Sequence, residues 1–214
     1  AAALRAAAAC AVQAQAAQPA AAPAAAPAAQ GETPSKLVLE NSQRLLSTLE
    51  ARRAEFTADR GKLQAFIASE FDQMFDRDYS ARQVLGRHGR GASDADVKLF
   101  ADALADSLMR RYGSSLLDFN TQLRVRVKSE TPLPRGLGVK VSSEMLRQGG
   151  EPIPVDYLMR QTPDGWRVFD VMVEGVSFVQ TFRQQFDTPL SRKSIRDVAA
   201  DLGAGRIQAD AGTN

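Results

Sequence analysis

Hydrophobic residues follow a helical period in the first half of the chain beyond residue 34. They recur at near-helical spacing over residues 35–56 and 62–75, and again over a short segment, residues 79–85. Ser93, a favoured helix N-cap residue, then precedes a stretch with helical spacing. Its apolar positions are Val97, Phe100, Leu104, Leu108 and Tyr112. The pattern predicts four helices, and the last of them is the most strongly amphipathic.

The pattern changes from helical to alternating after residue 122. Apolar and charged residues alternate over residues 123–128, then over 137–141 after the turn-forming sequence TPLPRG, and again over 153–161. A Pro-Asp-Gly turn at residues 163–165 leads into a fourth strand, which begins at Trp166. Strands joined by such short connections favour an antiparallel meander.

The fourth strand has apolar residues on both sides of its alternation. One face carries Trp166, Val168 and Met172, and the other carries Phe169, Val171 and Val173. Both faces are therefore expected to be covered. Gly175 can adopt the positive φ of a sharp exit, and Ser177 with Gln180 makes a capping box. We expect this strand to turn directly into a helix whose apolar side carries Val179, Phe182 and Phe186.

A last short helix is predicted over residues 191–202, after the pair Thr188-Pro189. Helices, then strands, then helices define an α+β class. The expected architecture is an antiparallel, curved sheet of four or slightly more strands, covered by helices on one face and preceded by an N-terminal helical part. We divide the chain into a signal-peptide remnant (1–16), an Ala/Pro-rich linker (17–34), a single domain (35–205) and a flexible tail (206–214).

The net charge and the cysteine content limit the classes of function that the chain can have. Lys and Arg number 27 against 25 acidic residues, and this net charge of +2 argues against a nucleic-acid partner. The single cysteine, Cys10, excludes an intramolecular disulfide. The sequence LRAAAACAVQAQA is typical of the end of a secretory signal, so we expect export. In the alternative interpretation Cys10 is acylated at a degenerate lipoprotein site. No later stretch is long and apolar enough to span a bilayer, so we expect a soluble mature protein.

Catalytic and metal-binding patterns are sparse in this sequence. One histidine and one cysteine cannot form a His/Cys metal cluster within one chain. His88 lies in a Gly- and Arg-rich turn, where exposure or capping is a more common role than catalysis. Ser177 lacks the glycines of a nucleophile elbow. Asp170 shares a predicted strand face with Val168 and Met172. It is either a buried acid for proton chemistry or a structural group that fixes the strand–helix corner, with Arg183 as a candidate partner.

Two blocks of the sequence are similar to one protein family. The first is the pattern D-x-x-x-E-G-x-S-x-x-x-x-x-R-x-x-F, formed by Asp170, Glu174, Gly175, Ser177, Arg183 and Phe186. The second covers residues 71–116, with Phe71, Asp72, Val84, Leu85, Gly86, His88, Phe100, Leu104 and Tyr112 as landmarks. Together they resemble the MlaC, or toluene-tolerance, family of periplasmic phospholipid carriers. The similarity extends over roughly residues 35–202.

The resemblance implies a function for the apolar faces. If the predicted helices lie against the apolar side of the sheet, their residues meet in one space, and they either close a solid core or line a cavity. The resemblance favours a lipid cavity lined by Phe100, Leu104, Leu108, Tyr112, Val125, Val127, Val139, Val141, Tyr157, Met159, Val171, Met172, Phe178 and Phe182. It also implies a nuclear-transport-factor-like fold, a structural role for the Asp170–Arg183 block, bound phospholipid without any cofactor, and no enzymatic activity.

Partners and alternatives follow from the same resemblance. The family implies a periplasmic carrier that moves lipid between two membranes and maintains outer-membrane asymmetry. The implied partners are an inner-membrane ABC transporter with a lipid-binding ring and an outer-membrane lipoprotein–porin complex, both contacted transiently by a monomer. Arg77, Arg82, Arg87 and Arg90 either steer the protein to anionic surfaces or form a solvated face with neighbouring aspartates. The alternatives are a hopanoid carrier, an enzyme that uses Asp170, and an adaptor with a filled core.

Overall fold

A computed structural model describes residues 33–113, 117 and 123–211 of the chain. The expected signal remnant, Cys10 and most of the Ala/Pro-rich linker lie outside these residues. The described part contains seven α-helices and a five-stranded sheet. The helices are α1 (Pro34–Ala51), α2 (Arg53–Ala58), α3 (Arg60–Met74), α4 (Arg77–Leu85), α5 (Asp94–Tyr112), α6 (Phe178–Arg192) and α7 (Ile195–Gly203). The strands are β1 (Arg124–Pro132), β2 (Val139–Leu146), β3 (Ile153–Thr162), β4 (Gly165–Val173) and β5 (Val176–Ser177).

Strand order in the sheet is β1-β2-β3-β4-β5, with every neighbouring pair antiparallel. This confirms the predicted α+β class and the predicted meander. The registers bring Val141 opposite Tyr157 and Val139 opposite Met159, so these side chains share one face of the sheet. Helix α1 packs on that face through the fully buried Val38.

The N-terminus of α1 is fixed to the edge strand by a carboxylate. Glu130 of β1 accepts hydrogen bonds from the Ser35 main-chain N–H at 3.2 Å and from the Ser35 hydroxyl at 2.8 Å. A negative charge at the first turn of a helix is favourable because it opposes the positive end of the helix dipole. Thr33 caps the same turn by accepting the Lys36 N–H, so the folded domain begins slightly before the predicted boundary at residue 35.

A β-bulge in β4 corrects the predicted strand faces. Leu158 pairs with Asp170 and Met159 pairs with Val168, which leaves Phe169 as an extra residue on β4. The alternation is interrupted there, so Val168 and Val171 lie on the same face of the sheet. The prediction that Asp170 shares a face with Val168 was therefore wrong, because a simple period of two does not register the extra residue.

The exit from β4 is a tight hairpin. Glu174 (φ 50°) and Gly175 (φ 83°) both have positive φ, and they connect β4 to the two-residue strand β5, which precedes α6. Two consecutive residues of this kind are typical of type I′ turns. The positive φ predicted at Gly175 is confirmed, whereas the expected direct passage from strand to helix is corrected by β5.

Two helix boundaries also differ from the predictions. The helix expected over residues 35–56 is divided at Arg52, where the guanidinium pairs with Glu55 and lies 4.5 Å from the ring centre of Phe56. Helix α6 continues through Pro189, which lies in its last turn, and the buried Leu190 remains packed. Pro189 has no N–H and so removes one intrahelical hydrogen bond, and α6 ends three residues later.

The segment after α7 is packed into the domain. Ala209 and Ala211 are buried, and the Ala209 N–H donates to the buried Ser107 hydroxyl of α5 at 3.1 Å. Tyr112 donates to the Asp210 carboxylate at 3.1 Å and accepts the Ala211 N–H at 3.1 Å. The predicted flexible tail beginning at residue 206 is therefore wrong for residues 206–211, because buried alanines and side-chain partners on α5 fix this segment.

Candidate functional site

The corner between β4 and α6 is held by one carboxylate. Asp170 is buried, and it accepts the Ser177 hydroxyl at 2.5 Å and the Val179 N–H at 3.0 Å. Ser177 in turn accepts the Gln180 N–H at 3.0 Å, which confirms it as the N-cap of α6. The bulge at Phe169 turns Asp170 toward the helix start. The carboxylate thus satisfies N–H groups that a helix terminus would otherwise leave unpaired.

Burial raises the pKa of Asp170 above its ordinary value. The Ser177 hydroxyl and the N–H groups of Val179, Val171 and Phe178 oppose this rise, because they bond to the charged form. A carboxylate with this many donors is occupied by structural hydrogen bonds. Its geometry therefore matches the capping role rather than proton transfer.

Arg183 serves a different contact from the one expected. Its Nε and Nη2 atoms donate to the main-chain oxygen of Gln83 at 2.8 and 2.5 Å, so it joins α6 to α4 and does not pair with Asp170. Gly86, which ends α4, has φ of 52°, and a β-carbon built there would lie 3.5 Å from the Arg183 side chain. The Asp170–Arg183 block therefore fixes α6 at both the sheet and α4.

Buried apolar side chains form three separate clusters. The helical cluster joins α4, α5, α6 and α7, and its buried members include Phe100, Leu104, Phe182 and Phe186. The sheet cluster joins α1 to β2, β3 and β4 through Val38, Val141, Tyr157, Met159 and Val168. The N-terminal cluster joins α1, α2 and α3 through Leu49, Phe56, Leu63 and Ile67, and it also contains Leu117.

Three elements connect these clusters in pairs. Helix α1 contributes Val38 to the sheet cluster and Leu49 to the N-terminal cluster. Helix α5 contributes Leu104 to the helical cluster and the half-buried Met109 to the N-terminal cluster. The Asp170 corner connects β4 of the sheet cluster to α6 of the helical cluster. Each pair of clusters is thus joined by at least one element of the fold.

Twelve of the fourteen predicted cavity residues are divided between two of these clusters. Phe100, Leu104 and Phe182 are buried in the helical cluster, with Leu108, Tyr112 and Phe178 partly buried against it. Val141, Tyr157 and Met159 are buried in the sheet cluster, with Val127, Val139 and Val171 partly buried against it. Val125 and Met172 are half-buried and belong to neither cluster. The structure therefore does not pack the fourteen side chains into one group.

Other half-buried apolar residues were not among the predicted cavity residues. Leu45, Phe66, Met109, Met145, Ile153 and Val173 lie at the margins of the sheet and N-terminal clusters. The helical spacing of Leu45 and Leu49 was the available signal, but spacing does not reveal which cluster a residue joins. Tyr157 is also anchored: its hydroxyl bonds to Ser42 of α1, and burial raises its pKa.

Two clefts open on α3. The larger, of about 690 Å³, is lined by Ala65, Ala68, Ser69, Asp72, Gln73 and Arg167. The smaller, of about 170 Å³, lies between the start of α3 and the end of α5, and it is lined by Arg60, Leu63, Gln64, Met109, Arg110 and Gly113. Leu63 and Met109 belong to the N-terminal cluster, so this smaller cleft adjoins apolar interior.

Three of the four arginines in the predicted basic group have acidic partners. Arg77 pairs with Asp72 and Asp102, and Arg82 pairs with Asp94. Arg87 pairs with Asp187, which also contacts His88 at 2.9 Å. The His88 hydrogen bond and the Arg87 charge hold the pKa of Asp187 below its ordinary value. These pairs match the solvated-face interpretation, and His88 holds a loop to α6.

Neither a metal centre nor a membrane-spanning helix is found in the described ranges. The residues given coordinates there contain no group of three or more His, Cys, Asp or Glu that is placed to bind a metal ion. Within the same part of the chain, every helix is too short or too polar to cross a bilayer.

Known proteins are similar to this chain in both sequence and fold. The model of the MlaC protein family matches residues 39–204. The toluene tolerance protein ttg2D of Pseudomonas putida is 26% identical over 180 residues, covering 82% of this chain and 82% of that protein. A phospholipid-binding protein from Ralstonia solanacearum, solved with a phospholipid, is similar at a TM-score of 0.70 and 20% identity, covering 79% of this chain and 94% of that one. Because the family model spans most of the chain, this protein belongs to the MlaC family.

Proposed function

We propose that this protein is a periplasmic phospholipid carrier that encloses acyl chains between its three apolar clusters. The observation that carries the proposal is the division of the core into clusters joined in pairs by α1, α5 and the β4–α6 corner. Half-buried apolar side chains on the margins of all three clusters suit a ligand that is itself apolar. Family membership and the phospholipid in the Ralstonia solanacearum protein support the same ligand class.

The energetics of transfer suit a carrier. Removing acyl chains from water gains ~0.8 kcal/mol per CH₂ group, which is on the order of 20 kcal/mol for two chains. A bilayer provides much the same apolar environment. A cavity that matches it lets lipid enter and leave with a small net change in free energy, so transport does not require nucleotide hydrolysis by this chain.

The cavity-lining residues in this proposal are the half-buried ones. Val127, Val139, Val171, Leu108 and Phe178 from the sequence prediction remain candidates. Phe100, Val141 and Met159 are almost completely inaccessible, so they support the walls from behind. Tyr112 uses its hydroxyl to hold the segment after α7, which suits a structural role.

Shuttling between membranes is the finer part of the proposal. In a carrier of this family, the donor and acceptor are an inner-membrane ABC transporter with a lipid-binding ring and an outer-membrane lipoprotein–porin complex. A binding role without catalysis is consistent with the Asp170 carboxylate, because its oxygens are used to cap α6. The lipid is then the only expected ligand, with no cofactor.

The test is native mass spectrometry of protein purified from the periplasm without detergent, followed by solvent extraction and lipid identification. A second sample is delipidated and incubated with a membrane extract that contains both phospholipids and hopanoids. A stoichiometric phospholipid adduct is the expected result. A hopanoid adduct in the mixed sample would show that the ligand is a hopanoid and not a phospholipid. The mass of the protein without any ligand in both samples would contradict the carrier function.

A further inference from the structure

The smaller cleft combines two arginines with an apolar floor. Arg60 is the first residue of α3, and Arg110 lies in the last turn of α5. Leu63 and Met109 line the same cleft and belong to the N-terminal cluster. The cleft therefore has a cationic rim and a floor that borders apolar interior, which is the pattern that an amphipathic ligand requires.

The guanidinium groups at this rim have unused hydrogen-bonding capacity. Arg60 makes no hydrogen bond or ion pair with any residue that the structure describes. Arg110 donates from Nη2 to the Leu202 carbonyl at 2.7 Å, which orients the side chain and leaves its other donors available. The described lining contains no acidic residue, and Gln64 adds an amide.

The charges around the cleft favour the binding of an anion. The start of α3 and the end of α5 face the same space, so the partial charges of about +0.5 and −0.5 at these helix ends roughly cancel. The two guanidinium charges remain. The adjacent Asp59 does not line the cleft, and its carboxylate is occupied by the N–H groups of Gly61 and Lys62.

We propose that Arg60 and Arg110 bind the phosphate of the lipid headgroup, while Leu63 and Met109 lead the acyl chains inward. This inference rests on the proposed carrier function. Guanidinium is the side-chain group best suited to phosphate, because its planar fork can donate two parallel hydrogen bonds. The volume of about 170 Å³ equals that of roughly six water molecules at ~30 Å³ each, which accommodates a phosphate and its ester oxygens.

The experiment measures selection for phosphate within a single preparation. Delipidated full-length protein is incubated with vesicles that contain equal amounts of dioleoylphosphatidylglycerol, dioleoylphosphatidylethanolamine and dioleoylglycerol. Bound lipids are then extracted and quantified by mass spectrometry. Because all three lipids share the same acyl chains and vesicles, the ratio of bound phospholipid to bound dioleoylglycerol reports the phosphate contact and not surface docking.

Arg60→Gln is the main variant, since the side chain makes no hydrogen bond or ion pair in the described fold that the change would break. We expect it to lower the ratio by about tenfold or more, as the loss of a charge-assisted hydrogen bond predicts. Arg60→Lys should keep part of the selection, and Arg60→Gln with Arg110→Gln should lose more. Arg90→Gln is the matched control, because it removes one exposed arginine elsewhere and should leave the ratio unchanged.

Several outcomes would overturn the inference. One is an Arg60→Gln ratio equal to that of wild type, and another is an equal fall in Arg90→Gln. If inorganic phosphate at physiological concentration abolishes the selection in wild type, the cleft is a site for free phosphate and not for the headgroup. Failure of the wild type to bind any of the three lipids would instead contradict the carrier function itself.

Discussion

Ser177 donates its hydroxyl proton to Asp170 at 2.5 Å and accepts the N–H of Gln180 at 3.0 Å. One hydroxyl thus couples the buried end of β4 to the first turn of α6. The bulge at Phe169 is what turns the Asp170 carboxylate toward this helix start. The characteristic spacing between Asp170 and Ser177 is therefore explained by a capping network that fixes α6 at the sheet.

Replacing Asp170 by Ala tests this structural role. The change leaves the Val179 N–H without its acceptor at a buried corner, so we expect a loss of about 2 kcal/mol or more in the free energy of unfolding. Urea denaturation followed by circular dichroism measures it. Asp164→Ala in the exposed β3–β4 turn is the control and should change stability by less than about 0.5 kcal/mol. Equal stability of Asp170→Ala and wild type would exclude the capping role.

The hydrogen-bonded carboxylate of Asp201 in α7 should make the stability of the protein depend on pH. Hydrogen bonds from Lys193 and Arg206 hold its pKa below the ordinary value of 3.8. The stabilisation from the ionised group is therefore fully present above that value, and it is lost as pH falls from it toward the folded-state pKa. We expect the stability difference between wild type and Asp201→Asn to be constant from pH 7 to about pH 5 and to shrink near pH 3. An unchanged difference at the lower pH would refute the assignment.

Gly86 is predicted to be required for backbone reasons. Its φ of 52° with ψ of −121° is a conformation that residues with a β-carbon avoid, although the nearest atom to such a carbon, Nε of Arg183, is 3.5 Å away. Gly86→Ala should therefore destabilise the protein by about 1–3 kcal/mol through strain and not through a clash. Gly203→Ala, at an open helical position, should be neutral or gain up to about 1 kcal/mol. Comparable unfolding midpoints for both variants would argue against strain at Gly86.

Removing a single side-chain oxygen atom tests the contact between Ser107 and the segment after α7. Ser107→Ala leaves the buried Ala209 N–H without an acceptor, which should cost about 1–3 kcal/mol. Trypsin should then cut faster after Arg206, because the released segment becomes accessible. Ser191→Ala removes an exposed hydroxyl and is the control. Cleavage rates that match between the two variants would show that this bond does not hold the segment.

Periodicity predicted most elements because each of them buries one face. The long helix capped by Ser93 and the alternating strands were readable since Val97, Phe100 and Val141 recur at the spacing that burial demands. The Ser177 cap and the positive φ of Gly175 were also predicted, because short-range chemistry determines both. The predicted family resemblance was confirmed, because the family model matches residues 39–204.

Features that depend on tertiary contacts could not be predicted from the pattern. The Phe169 bulge shifts a face through one unpaired residue. Residues 206–211 contain one large hydrophobic residue, Ile207, which is too weak a signal to predict that the segment packs into the domain. The division of the predicted cavity residues between two clusters is of the same kind. Periodicity shows that Phe100 and Val141 are buried, but it does not show which neighbours surround them.

Filling the proposed cavity between the clusters is the direct test of where the proposed lipid lies. Val171 is half-buried on β4, opposite Tyr157, at the margin of the sheet cluster. The larger side chain of Val171→Trp should occupy part of the proposed cavity. Overpacking should raise the free energy of the lipid-bound state by about 1–3 kcal/mol. This corresponds to lipid binding that is weaker by about tenfold or more. Val176→Trp, on the neighbouring strand with Val176 50% exposed, adds the same side chain outside the proposed cavity.

Both variants are purified without detergent, and their lipid content is measured per folded protein, with the thermal midpoint as the check on folding. We expect phospholipid to be lost from Val171→Trp and kept by Val176→Trp. If Val171→Trp fails to fold, Val173→Phe makes a smaller change on the same face of β4. Full phospholipid content in a folded Val171→Trp or Val173→Phe protein would place the acyl chains elsewhere, since a filled cavity cannot also hold them.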